Sequence, residues 1–107
     1  MDDIGVKSGV MFSREHILEV LRQAKTDFGQ RHHVRSMALF GSYSRNEQTE
    51  GSDVDVLVDF DDGVTASMLI RFTDKLEARL GLPVDVVPAD AIKPHYREFI
   101  QKDLVHA

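Results

Sequence analysis

Apolar residues recur along this chain with two periods. Ile17, Leu21, Ala24 and Phe28 fall at i, i+4, i+7 and i+11, the spacing of one face of an amphipathic helix. Ser13 is placed to cap it, Glu15 sits in its first turn, where the helix dipole favours an acid, and Gly29 is its expected stop. Gln30–His33 reads as a polar connector. Val34–Phe40 then predicts a short strand, with Met37 to Phe40 consecutively apolar and so buried on both faces. Gly41-Ser42 ends it. The segment Tyr43–Gly51 has no apolar period and reads as a loop or one short helical turn. In Asp53–Phe60 the period drops to two: Val54, Val56, Val58 and Phe60 share one face, and Asp53, Asp55, Leu57 and Asp59 share the other. Asp61-Asp62-Gly63 is a turn. Thr65 caps a second helix with Leu69, Phe72, Leu76 and Leu80 as its stripe and Gly81 just past its end. Pro83 opens a third strand, Val84–Val87, which Pro88 closes. Pro94 fits the first turn of a last helix with Tyr96, Phe99 and Ile100 inward, and Leu104-Val105 adds a short final strand. Residues 1–12 have no period and read as a flexible arm; residues 13–107 read as a single domain. The order helix–strand–strand–helix–strand–helix predicts an α+β fold, one small sheet backed by helices.

Composition narrows what this domain handles. At 107 residues there is room for one core, and 42% apolar with 29% charged residues describes a globular chain. The absence of cysteine excludes a disulfide scaffold and any Cys-ligated zinc or iron–sulfur site. Thirteen Lys and Arg against 18 Asp and Glu leave a net charge of −5. Such a domain does not bind a nucleic-acid backbone by bulk electrostatics, and no direct nucleic-acid binding is expected. If it handles phosphate, it does so locally, with a metal ion or a few placed donors. No apolar run approaches the about 20 residues needed to span a bilayer, and the acidic start Met1-Asp2-Asp3 lacks the apolar region of a signal peptide. A soluble cytoplasmic protein without membrane contact is expected.

The acids are in an unexpected place. The valine face of the second strand must be the buried one, and the other face carries Asp53, Asp55 and Asp59 although aspartate is a poor strand former. Two carboxylates two residues apart on a strand lie about 6–7 Å from each other. They repel, but they can clasp one or two hard cations. Mg²⁺ takes carboxylate oxygens and keeps positions open for phosphates, and a two-metal site suits in-line phosphoryl displacement. Asp85 repeats the anomaly inside Val84–Val87. If the two strands are neighbours, three acids converge. A solvated acidic edge that discourages aggregation would use the same residues, so the acids alone leave both readings open. Gly41-Ser42 adds a place where backbone can approach an anion, with the Ser42 hydroxyl and N–H beside it and Arg45 one turn later.

Together, Gly41-Ser42, ten residues, then Asp53-Val54-Asp55 spell G-S-x10-D-x-D. With "ALFGSYSR", "GSDVDVLVDF" and "PVDVV", the chain resembles the DNA polymerase β-type nucleotidyltransferase superfamily, and within it the minimal nucleotidyltransferases. The resemblance implies a polymerase β palm-like core. It implies that Gly41 and Ser42 hold the β- and γ-phosphates of a nucleoside triphosphate, with Arg45 reaching the same phosphates. Asp53 and Asp55 would bind two Mg²⁺ ions, and Asp85 would complete the metal set on the acceptor side and help deprotonate the attacking hydroxyl. The chain departs from relatives in Arg45–Gly51, which lacks the glycine often found after the arginine. Short members resemble the antitoxins of toxin–antitoxin pairs, which implies ATP as substrate, a HEPN-domain ribonuclease toxin as partner, and AMP transfer onto one of its tyrosines. Two other functions fit the same residues: neutralisation of the partner by binding alone, and nucleotidyl transfer to a small aminoglycoside-like acceptor.

Other polar residues carry blander expectations. His32 and His33 are expected in solvent, without ligand spacing to any partner. Tyr43 reads as an exposed loop tyrosine and Tyr96 as core-edge. Asp59, Asp61 and Asp62 read as solvated turn charges, and Arg71, Lys75 and Arg79 as a solvated basic side of the second helix.

Overall fold

Ser13 does cap the first helix: its hydroxyl accepts the His16 N–H at 3.0 Å. The structure, a computed structural model, describes residues 12–61 and 64–107. All of the expected N-terminal arm but Phe12, and Asp62 and Gly63 of the acidic turn, lie outside the described residues. Helix α1 spans Arg14–Ala24 and buries Ile17, Leu18, Leu21 and Ala24. The chain does not stop at Gly29. It widens into a π turn over Lys25–Gly29, tightens into a 3₁₀ turn over Gln30–His32, and ends only at His33, which takes the left-handed conformation. Burial of Phe28 explains the continuation, since this keeps its ring in the core against Phe72.

Strands β1 (Val34–Phe40), β2 (Val54–Phe60) and β3 (Val84–Pro88) follow the expected segments within one residue. Helix α2, Ala66–Leu80, runs from a Thr65 cap to Gly81, which adopts φ 71° as a C-terminal glycine should. Helix α3 is Pro94–Gln101, and β4 is Val105–His106. The sheet order is β3-β2-β1-β4; β1 pairs antiparallel with β2 and β4, while β2 and β3 run parallel. The fold is thus α+β with a mixed four-stranded sheet, as expected.

Period two in β2 is realised in full. Val54, Val56 and Val58 are completely buried in one core with Ile17 and Leu21 of α1 and Phe72 and Leu76 of α2. This face of the sheet is the packed one. Two expectations fail outside it. Tyr43 is not exposed: it is 1% exposed and belongs to the core. In α3, Tyr96 and Phe99 are not inward; they are 57% and 68% exposed, and only Ile100 is partly covered, beside Leu57, Ile92 and Leu104. Among the described residues no helix is long and apolar enough to cross a membrane.

Candidate active site

Topology brings the marked residues to one end of the sheet. Because β1 and β2 are antiparallel, the end of β1 lies beside the start of β2, with Phe40 opposite Asp55. Because β2 and β3 are parallel, both start at that same end, and Asp55 lies in register with Asp85. The Val54 N–H, donating to the Pro83 carbonyl at 2.9 Å, ties the starts of these two strands together. Gly41, Asp53, Asp55 and Asp85 therefore meet through strand order alone, from segments up to 44 residues apart. They do so on the face of the sheet opposite the valine core.

Gly41 is held at φ 78°. A Cβ built there would lie 2.2 Å from Oδ2 of Asp55, so the carboxylate occupies the space a side chain would need, and only glycine fits. A turn over residues 42–46 follows. Its bonds run from the N–H groups of Arg45, Asn46 and Glu47 to the carbonyls of Gly41, Ser42 and Tyr43. The first N–H groups of a helical turn have no partner within it, and that end favours an anion.

Asp55 is half-buried, whereas Asp53 and Asp85 are exposed. Burial, then the negative charges of Asp85 and Asp53, push the Asp55 carboxyl up from 3.8 to about 6, against an opposing pull from Arg45. A carboxyl poised like this, beside two others, marks a place where charge has been concentrated at a cost in stability. The donors are all hard oxygens, the set that suits Mg²⁺. Among the described residues no three His, Cys, Asp or Glu side chains close on a common point as a ready-made metal cage. Like charges in register across two strands oppose that collapse.

Arg45 stands at the edge of this site, but its guanidinium does not point freely at it. Nε bonds Glu47 at 2.9 Å and Nη1 bonds Asp103 at 2.6 Å, and these bonds, Glu47 first, push its pKa up. The Ser44 hydroxyl donates to the Asp103 carbonyl, and Arg14 Nη1 donates to the Ser44 carbonyl at 3.1 Å. Sequence reasoning missed Arg14, Ser44 and Asp103. An Asp after a Lys at a helix end carries no signal that it will meet a turn 58 residues earlier.

The histidine expectation is half wrong. His33 is exposed, but His32 is 8% exposed and its ring packs against Phe28 and Phe72, with Nε2 buried and unbonded. It lies in the helical layer, on the valine side of the sheet, with no part in the acid end. Asp59 and Asp61 are ion-paired with Arg35, at 3.6 and 2.9 Å. On the second helix, Lys75 and Arg79 lie over the Phe28 ring, and Arg79 pairs with Asp27.

A family model described as a nucleotidyltransferase domain matches residues 21–106. The chain belongs to this nucleotidyltransferase family. The nucleotidyltransferase is 36% identical over 96 residues to the protein adenylyltransferase MntA of Thermococcus cleftensis, covering 90% of this chain and 97% of that one. It is also 36% identical over 97 residues to a Methanocaldococcus jannaschii chain named as a candidate protein adenylyltransferase, covering 90% and 99%. A solved structure described as a candidate minimal nucleotidyltransferase superposes with TM-score 0.76 at 33% identity, over 91% of this chain and 98% of that one. A chain of a solved structure described as a tri-AMPylated Shewanella oneidensis HEPN toxin in complex with MNT antitoxin shares the fold, at TM-score 0.56 and 20% identity, over 87% of this chain and 66% of that one. The protein is a minimal nucleotidyltransferase, an enzyme that transfers nucleotidyl groups.

Proposed function

We propose that this nucleotidyltransferase moves AMP from ATP, with Mg²⁺, onto a tyrosine hydroxyl of a HEPN ribonuclease toxin, and is the antitoxin of that pair. The observation that carries the reading is the Asp55–Asp85 register pair, with Asp53 beside it, facing a glycine turn that a Cβ would block. Relatives named as protein adenylyltransferases support the group transferred, and the shared fold of a HEPN toxin–antitoxin complex supports the partner.

In this reading the Gly41-Ser42 turn offers N–H and hydroxyl donors to the β- and γ-phosphates, and Arg45 adds charge at the same place. Asp53, Asp55 and Asp85 would hold the Mg²⁺ ions, which when bound supply positive charge that neutralises the triphosphate and acidifies the acceptor hydroxyl. Asp85, on the exposed edge strand, is the acid an incoming hydroxyl meets, and it takes the hydroxyl proton. The tyrosine oxygen bonds to the α-phosphorus, the bond from that phosphorus to the bridging oxygen breaks, and pyrophosphate leaves. Positioning and fixed charge supply most of the rate.

The test is intact-mass analysis of the HEPN protein after incubation with ATP, Mg²⁺ and this chain. An increment of one or more AMP units, located to tyrosine by fragmentation, is expected. It should vanish with Asp53→Asn or Asp55→Asn. Neutralisation of the toxin by those variants, with no mass added, would instead establish inhibition by binding alone.

A further inference from the structure

The turn over residues 42–46 is fastened from outside its own strand. Ser44, buried in the middle of the turn, gives its hydroxyl to the Asp103 carbonyl and receives Arg14 on its own carbonyl. Arg45 is gripped by Glu47 and Asp103. Asp103 thus holds the turn twice, by backbone to Ser44 and by carboxylate to Arg45. It is itself fixed: its N–H bonds the Ile100 carbonyl at 3.0 Å at the end of α3, and β4, which pairs with β1, starts two residues on. Its side chain is 19% exposed, against 41% for Arg45.

We propose that Asp103 is a positioning residue for the nucleotide: it locks the turn over residues 42–46 and sets the plane of Arg45 so that the guanidinium meets the triphosphate. The proposal rests on the reading of this turn as the phosphate site. A guanidinium bonded at Nε and Nη1 cannot rotate, and its remaining Nη2 donors are presented in one direction. The Arg45 N–H bonds the Gly41 and Ser42 carbonyls at 3.2 Å, which fixes its backbone one turn after Gly41-Ser42, and its charge is felt at Asp55, whose carboxyl it pulls down. The opposite role, in which Asp103 competes with phosphate for Arg45, predicts the reverse effect of removing its charge.

The test is calorimetric binding of ATP and of AMP, each with Mg²⁺, to the whole chain and to its variants. Asp103→Asn is expected to weaken ATP binding about 10-fold or more, the scale of one charge-assisted contact. AMP, which lacks the β- and γ-phosphates, should be affected far less, and Asp103→Glu should recover most of the loss. A purely structural role would lower both affinities together. Arg45→Gln leaves the Ser44–Asp103 bond in place and should show the same selective loss, which keeps the test valid if Asp103→Asn folds poorly. Unchanged or tighter ATP binding in these variants overturns the proposal. Failure of the unaltered chain to bind ATP at all would overturn the nucleotide reading, and this proposal with it.

Discussion

Asp55 is a burden on the fold at neutral pH. Its carboxyl is raised from 3.8 to about 6, first by burial and then by Asp85 and Asp53. A raised folded pKa means that the native state holds the proton more tightly than the unfolded chain does. The associated stability is fully present below 3.8 and is lost as pH rises through about 6. Asp55→Asn is therefore expected to melt higher than the unaltered chain at pH 7.5 with chelator present, to match it near pH 4, and to lose nucleotidyl transfer. Thermal melts across pH check this; a constant gap between the two proteins would contradict it. His32 pulls the other way. Burial first, then the charge of Lys75, lowers its pKa below 6.5, so its contribution is present above 6.5 and lost as pH falls. Its Nε2 also goes unbonded between aromatic rings. His32→Leu removes both costs and should stabilise the domain by about 1 kcal/mol at pH 7, and by more at pH 5. Denaturant melts at the two pH values measure it, and a smaller gain at pH 5 would refute it.

At the scale of elements, Gly41 and Gly81, both left-handed, separate a turn that only needs its backbone from one that also needs empty space. Gly81 at the end of α2 has nothing within 4 Å of a built Cβ, so Gly81→Ala should cost only the left-handed penalty, about 1 kcal/mol, and leave activity intact. Gly41→Ala meets the same penalty and also drives a methyl into the Asp55 carboxylate. It should cost more stability and abolish transfer, and comparing melts and AMP incorporation for the pair checks both halves. Much of this was legible in the sequence. Alternation fixes which face of β2 is buried, and the aspartates on the other face, which oppose strand formation, mark the candidate site. What stayed hidden depended on having a wall opposite. Tyr96, Phe99 and Ile100 align on α3 in either case, but Tyr96 and Phe99 stay largely exposed while Ile100 is partly covered. Tyr43 follows a glycine-serine turn and looks like a loop residue, yet the turn folds it back into the core. Periodicity reports alignment within an element; it carries no term for the element it meets, and the Asp103 contacts with the turn are invisible for the same reason.

At the scale of the whole molecule the sheet divides labour. Its valine face holds the fold with α1 and α2, and its other face carries the acid end. In a chain of net charge −5, the proposed function requires the three acids at one end of one face to bind cations better in the native state than in the unfolded chain, where the same residues are spread over 33 positions. Binding to the native state alone stabilises it by mass action, by about 1.4 kcal/mol at tenfold above the dissociation constant. Mg²⁺ titrated into the metal-free protein at pH 7.5 is therefore expected to raise the melting temperature in a saturable way. The rise should be lost in Asp55→Asn and reduced in Asp53→Asn and Asp85→Asn. It should also fade below pH 6, where Asp55 takes up its proton and proton and cation compete for one oxygen pair. Na⁺ at matched ionic strength separates this from screening of the net charge, which would act equally on every variant. A Mg²⁺ effect of the same size in Asp55→Asn would mean that the cation is held elsewhere, and the acid end would then be an electrostatic burden with no ion to justify it.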